Sequence, residues 1–230
     1  MIYITGDIHA NCDIKKLNSK NFSEGLSLTK KDYVIICGDF GLVWDNENNI
    51  SGEEKYWTNW LNDKPWTTLF VDGNHENHPR LNSYPIKEKF GGRVHKIADS
   101  IYHLMRGEYY EIDGYTFWTF GGAQSHDKWH RIKGKSWWEE EMPTSEEMNY
   151  GVDKFNEHNN KVDFIITHCA PSTIVTGINN YYDTDSLTSY FNFIKNNNDF
   201  RTWFFGHYHE DLKIEDKYYA LYNKIIKLSS

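Results

Sequence analysis

The chain has 230 residues, enough for one domain that buries roughly 70% of the surface its unfolded form exposes, so it needs no staple to fold. Hydrophobic residues make up 39% and charged residues 25%, which excludes wholesale disorder, and no run approaches the ~20 apolar residues of a membrane span. A net charge of −8 works against bulk attraction to nucleic acid or anionic membranes, so an anionic substrate would need positive charge supplied locally.

Ile2–Thr5, Tyr33–Cys37 and Thr67–Val71 read as strands, and Asn11–Ser19 and Glu53–Leu61 have helical character between them. Strands separated by helices predict βαβ units and a largely parallel sheet. Ile101–Met105, Glu108–Ile112 and Tyr115–Phe120 follow as closely spaced strands, and Asp113-Gly114 is a two-residue hairpin signal, so antiparallel pairs and a second or mixed sheet are expected. Gly121 to about Pro143 has no clear period and reads as an insertion. A helix is predicted from the Pro143-Thr144-Ser145 start to about His158. Asp163–Thr167 is a strand, Ser172–Tyr182 a loop and Asp185–Lys195 a helix, and Thr202–Phe205, Leu212–Ile214 and Tyr218–Tyr222 close the chain as strands. No repeat or linker divides it, so residues 1–230 are expected to form a single domain. Cys12, Cys37 and Cys169 lie far apart with no paired spacing, and the first residues run straight into a strand without a signal-like segment. A cytoplasmic protein is therefore expected.

Five apolar runs end in the same way. Ile2-Tyr3-Ile4-Thr5 leads into Gly6-Asp7-Ile8-His9, Val34-Ile35-Ile36-Cys37 into Gly38-Asp39, and Leu69-Phe70-Val71-Asp72 into Gly73-Asn74-His75-Glu76. Phe164-Ile165-Ile166 leads into Thr167-His168, and Trp203-Phe204-Phe205 into Gly206-His207-Tyr208-His209. A Gly-Asp or His-x-His alone is more often turn or surface than ligand. Five in order, each where a buried strand stops, describe a site at the carboxyl edge of parallel strands, where α/β proteins build their sites. Asp and His suit divalent ions such as Mn, Fe, Zn or Ni, and one carboxylate can bridge two of them. Two divalent ions against two carboxylates and a hydroxide leave a centre of about +1, which would attract phosphate to an acidic chain.

With these motifs the chain resembles the calcineurin-like metallophosphoesterases, over nearly its whole length and in the family's order. The resemblance implies an α/β fold, a four-layer α/β/β/α sandwich with two mixed β-sheets. It also implies two metal ions, one held by Asp7, His9, Asp39 and His209, the other by Asp39, Asn74, His168 and His207. The expected reaction is hydrolysis of a phosphate ester by a metal-bridging hydroxide, with His75 protonating the leaving oxygen as general acid. Glu76 is expected to occupy the first turn of a following helix rather than to orient a ligand. Asp45 is a candidate for orienting His75.

The phosphoprotein phosphatases carry Gly-Asp-x-x-Asp-Arg-Gly at the second motif. Here Gly38-Asp39-Phe40-Gly41-Leu42-Val43 stands instead, which counts against serine/threonine phosphatase action. The insertion runs Gly121-Gly122-Ala123-Gln124-Ser125-His126-Asp127-Lys128-Trp129-His130-Arg131 and on to Trp137-Trp138, and it looks like that of a phosphoesterase subgroup from low-GC bacteria and their phages. Its basic and aromatic residues read either as a substrate loop, with Arg131, Lys128 and His126 contacting a phosphorylated compound, or as a solvated loop anchored by tryptophans. A small phosphorylated substrate is expected, with no membrane partner and with nucleic acid only as a nucleotide or short single strand. The alternatives are a serine/threonine phosphatase, a phosphodiesterase or nuclease, and a non-catalytic scaffold; the intact ligand set argues against the last.

Overall fold

Alternate residues of β1 (Ile2–Thr5) face opposite ways, and both faces are apolar, as a strand covered on both sides requires. The computed structural model describes residues 1–179 and 182–228. β2 (Tyr33–Ile36) and β3 (Thr67–Phe70) run parallel beside β1, with α1 (Gly52–Asn62) in the crossover between them. After α2 (His78–Ser83) come β4 (Ile86–Lys89), β5 (Gly92–Ala98), β6 (Ile101–Leu104), β7 (Glu108–Ile112) and β8 (Tyr115–Phe120). Then follow α3 (Ser145–Glu157), β9 (Lys161–Thr167), α4 (Ser172–Ile178), α5 (Ser186–Asn197) and β10 (Asp199–Phe205). β11 (Leu212–Ile214), β12 (Tyr218–Ala220) and β13 (Ile225–Lys227) complete the described chain.

The strands form two mixed sheets, ordered β13-β1-β2-β3-β6-β5-β4 and β11-β12-β10-β9-β8-β7. Ile2, Ile4, Ile35, Leu69 and Val94 of the first sheet meet Ile112, Phe117, Phe164, Ile166 and Phe204 of the second in a core between them. The opposite faces are covered separately. Tyr3, Val34, Ile36 and Phe70 pack under Leu61 of α1 and Leu81 of α2. Trp118, Ile165, Trp203 and Phe205 pack under Phe155 of α3 and Leu187, Phe191 and Ile194 of α5. Helix, sheet, sheet, helix is the four-layer α/β/β/α order expected. No described helix is long and apolar enough to cross a membrane.

Local chemistry accounts for most element ends. Thr144 caps α3 in a capping box with Glu147, and Asp185 caps α5 with Thr188. Asp113 and Gly114 join β7 to β8 with φ of 52° and 84°, the paired positive values of a tight hairpin turn.

Two local expectations fail, and two elements are unexpected. Asn11–Ser19 holds only a 3₁₀ turn, Ile14–Leu17, because Asp13 N–H bonds back to Ile8 O and Lys16 turns inward. Within the expected Ser172–Tyr182 loop lies α4, whose Ile174 and Val175 are buried; Asn180 and Tyr181 lie outside the described residues. The β4–β5 hairpin was not expected, because Ile86-Lys87-Glu88-Lys89 is an exposed edge without apolar alternation. β13, too short to show a period, pairs antiparallel with β1.

Phe117 is fully buried in the inter-sheet core. Phe117→Ala is expected to lower the unfolding free energy by roughly 3–5 kcal/mol. In denaturant titration this would appear as a lower midpoint with an unchanged slope. A loss under about 1 kcal/mol would show that the two sheets do not pack there.

Candidate metal centre

β1, β2 and β3 are parallel neighbours in one sheet, and β9 and β10 in the other, so their carboxyl ends open on one edge of the sandwich. Asp7, Asp39, Asn74, His168 and His207 stand just beyond those ends. Gly38 and Gly206 permit the approach. Gly38 has φ of 91°, and a Cβ there would overlap the His168 ring, while a Cβ on Gly206 would overlap the Asp7 carboxylate.

Asp39 is the hub. Its Oδ2 lies 3.1 Å from His9 Nε2 and its Oδ1 3.2 Å from His168 Nε2. Asn74 N–H and His75 N–H both donate to Oδ1 at 2.9 Å. Asn74 Oδ1 is 3.3 Å from His168 Nε2. Asp7 lies 3.3 Å from His209 Nε2 through Oδ2 and receives His207 N–H. Among the described residues, three groups have donor atoms close enough to hold a metal ion: Asp7, His9 and His209; His9, Asp39 and His75; and Asp7, Asp39 and His168.

Fit to cations can be judged from this geometry. The 3.1–3.3 Å separations fall within the edge between two donors of one cation, since bonds of about 2.0–2.2 Å at about 90–110° span about 2.8–3.6 Å. Asp7 and Asp39 are buried, and among the described residues their ion-pair partners are imidazoles only. The residues therefore fit divalent cations.

Charge follows the same logic. Burial alone would raise the Asp39 pKa, but His168, His9 and His75 hold the carboxyl well below the usual range. Burial works against charge on His168, yet Asp39 and Asp7 hold its pKa up to about 10. His9 behaves likewise, at about 9, against Asp39, Asp7 and Asp13.

The backbone is strained at the same places. His9, Asp39, His207 and His209 have φ of 38°, 44°, 68° and 53°. Left-handed conformations cost side-chain-bearing residues about 1–3 kcal/mol each, and they cluster where function holds them.

A cavity of about 660 Å³ opens over this group, with His9, His75, His209, Arg131, Trp44 and Trp57 in its lining. His75 stacks on Trp44 at 6.0 Å and receives Arg131 Nη2 at its Nε2, 3.1 Å away. Burial and the Arg131 charge push the His75 pKa down. Asp45 lines the cavity but accepts from Ser51 N–H instead of orienting His75. Lys128 is not brought to the cavity; its ammonium lies over the Trp129 ring. His126 also stands away from the cavity wall, against His207.

Glu76 corrects the expectation of a helix position. α2 starts at His78, and the Glu76 carboxylate is fully buried, accepting Phe40 N–H at 2.7 Å and Gly73 N–H at 2.9 Å. It joins the Asp39 loop to the Asn74 loop. Burial, with Asp39 and Asp72 nearby, raises its pKa to about 8. Four further residues carry roles the sequence does not suggest. Buried Asp72 takes His103 Nε2 at 3.0 Å and Arg106 Nη2 at 2.6 Å. His78 is buried, and its Nε2–H donates to Gly73 O at 3.1 Å. Their signal would have been a polar residue inside an apolar run, as with His103 in β6.

With the geometry in hand, a sequence model of the calcineurin-like phosphoesterases matches residues 1–211. The chain belongs to that family, one of phosphoric ester hydrolases. Among solved structures, a Staphylococcus aureus protein described as "Putative 5'-Nucleotidase", in complex with alpha-ketoglutarate, shares 13% identity at a TM-score of 0.49. The match covers 97% of this chain and 49% of that one, so this chain spans about half its length. No curated protein matches.

Glu76→Gln places an amide NH₂ where one of two backbone N–H groups needs an acceptor. It should lower stability by about 1–3 kcal/mol. An unchanged thermal midpoint would show that the carboxylate does not tie the two loops.

Proposed function

We propose that the chain is a dimetal phosphoesterase acting on a small phosphate ester. The observation that carries this is the convergence of Asp7, Asp39, Asn74 and His168 from neighbouring strand ends, with imidazoles as the only ion-pair partners of both carboxylates among the described residues. One ion would be held by Asp7, His9, Asp39 and His209, the other by Asp39, Asn74, His168 and His207, with Mn, Fe, Zn or Ni as candidates. Such a pair, when bound, supplies positive charge that draws phosphate and lowers the pKa of water.

The chain's own residues do the rest. Arg131 Nε is held by Asp127 Oδ1 at 2.7 Å and its Nη1 donates to Ser136 O at 3.4 Å, which leaves Nη2 to meet a phosphate in the cavity. A phosphate that takes Arg131 Nη2 releases His75 Nε2. Freed of the guanidinium, that nitrogen takes up a proton from solvent, and the imidazolium then gives it to the leaving oxygen as general acid. Trp44 and Trp57 flank the leaving group and favour one with a ring. Residues 1–230 act as one domain. The three thiols are free, in keeping with a reducing cytoplasm.

Metal analysis after loading with Mn, Ni, Zn or Mg should find two equivalents per chain, and a panel of mono- and diesters should show turnover. One equivalent or none would reject the dimetal centre. His75→Ala should cut kcat roughly 10²–10⁴-fold while both cations stay bound. Arg131→Glu, which loses a charge-assisted bond of about 1.5–3 kcal/mol, should raise KM roughly tenfold or more. Unchanged kinetics would remove Arg131 from the substrate site.

A further inference from the structure

The connection between β8 and α3, residues 121–143, brings a second side chain to the centre besides Arg131. His126 Nε2 lies 3.2 Å from His207 Nε2, with the rings 5.2 Å apart and inclined by 29°. Two imidazole nitrogens at that distance share one proton, so one donates and the other accepts. The Nε2 of His207 is thereby engaged. Its remaining ring nitrogen is Nδ1, and the ring meets His168 edge-on at 4.9 Å.

His126 is exposed, but its backbone is not free. Ser125, immediately before it, donates N–H to Glu141 Oε1 at 2.8 Å and Oγ–H to Glu141 Oε2 at 2.7 Å. Glu141 is buried, and Arg106 Nη2 holds the carbonyls of Glu140 and Glu141 at 2.8 and 3.3 Å. Gly122 N–H is bound to Asp72 O at 2.9 Å. The same buried Arg106–Asp72 pair therefore pins both the start and the end of the connection, and His126 hangs from a fixed point.

We infer that His126 is the positioning residue of His207, accepting the Nε2 proton and so presenting His207 Nδ1 to the cation shared with Asp39, Asn74 and His168. This rests on the proposed role of His207 as a ligand. Imidazole ligands are generally oriented by a partner on the other ring nitrogen, and losing that partner typically costs 10–100-fold in metal affinity. Here the partner is supplied by a connection outside the five strand-end motifs.

Titration of the metal-free chain with Mn²⁺ or Co²⁺, read by calorimetry, tests this. His126→Ala should weaken one of two binding events roughly 10–100-fold and leave the other unchanged. His126→Gln, whose Oε1 can accept the same proton, should restore most of the affinity. His130→Ala, on the same connection, should match the unsubstituted chain. Tight binding of both cations by His126→Ala would overturn the inference. So would failure of Gln to rescue together with a changed cobalt absorption band, because His126 would then be a ligand itself. Fewer than two cations on the unsubstituted chain would instead overturn the dimetal reading, which separates the two failures.

Discussion

Two carboxylates, Asp7 and Asp39, are buried where the carboxyl ends of two sheets meet, and no lysine or arginine pairs with either among the described residues. An uncompensated buried carboxylate costs several kcal/mol, roughly, even after relaxation. The surroundings meet that cost with backbone N–H groups of Asn74, His75 and His207 and with three imidazoles. The three imidazoles are also ligands that a cation would recruit, alongside the carboxylates themselves. The charge demand of the fold and the chemistry of the site are one requirement.

Meeting it distorts the backbone, and the distortion needs support. His9, Asp39, His207 and His209 are all left-handed. Glu76 bolts the Asp39 and Asn74 loops together through Phe40 and Gly73 N–H. Lys16 does the corresponding work on the first motif. Its buried ammonium binds Gly6 O at 3.0 Å and Asp7 O at 2.7 Å and also reaches Tyr222 O. Burial lowers its pKa to about 8, even with Asp7 and Asp13 nearby. Because Lys16 spends its donors on carbonyls, the Asp7 oxygens remain turned to His209 and His207. A lysine aimed at the carboxylate would instead have filled the place of a cation.

The strand-end motifs were legible because each has a short, local signature: a buried run, a glycine, a ligand type. Layer order followed, since runs apolar on both faces require cover on both. The supporting shell was not legible. Glu76 looks like any residue entering a helix, and only the burial of its carboxylate shows that it faces the β2 loop. Asp72 lies just past β3, and His103 and Arg106 lie in and just past β6, so the three acquire meaning only when packed. The 3₁₀ turn at Ile14–Leu17 and the helix Ser172–Ile178 were misread because tertiary contacts, not periodicity, decide such short segments. The polar edge strand β4 has no apolar signal at all.

An acidic chain can still hold a site suited to phosphate because the charges are local. Arg131 is paired with Asp127 at 2.7 Å, so it contributes little long-range field. Its pairing with Asp127 fixes the guanidinium plane and leaves the Nη side toward His75. A planar fork held in this way suits phosphate by geometry, which a point-charge ammonium does not. In the proposed site, selectivity would come from the connections, with Arg131 from 121–143 and Trp44 from the segment after β2 both lining the cavity, while the strand ends supply the metal-ligand residue types.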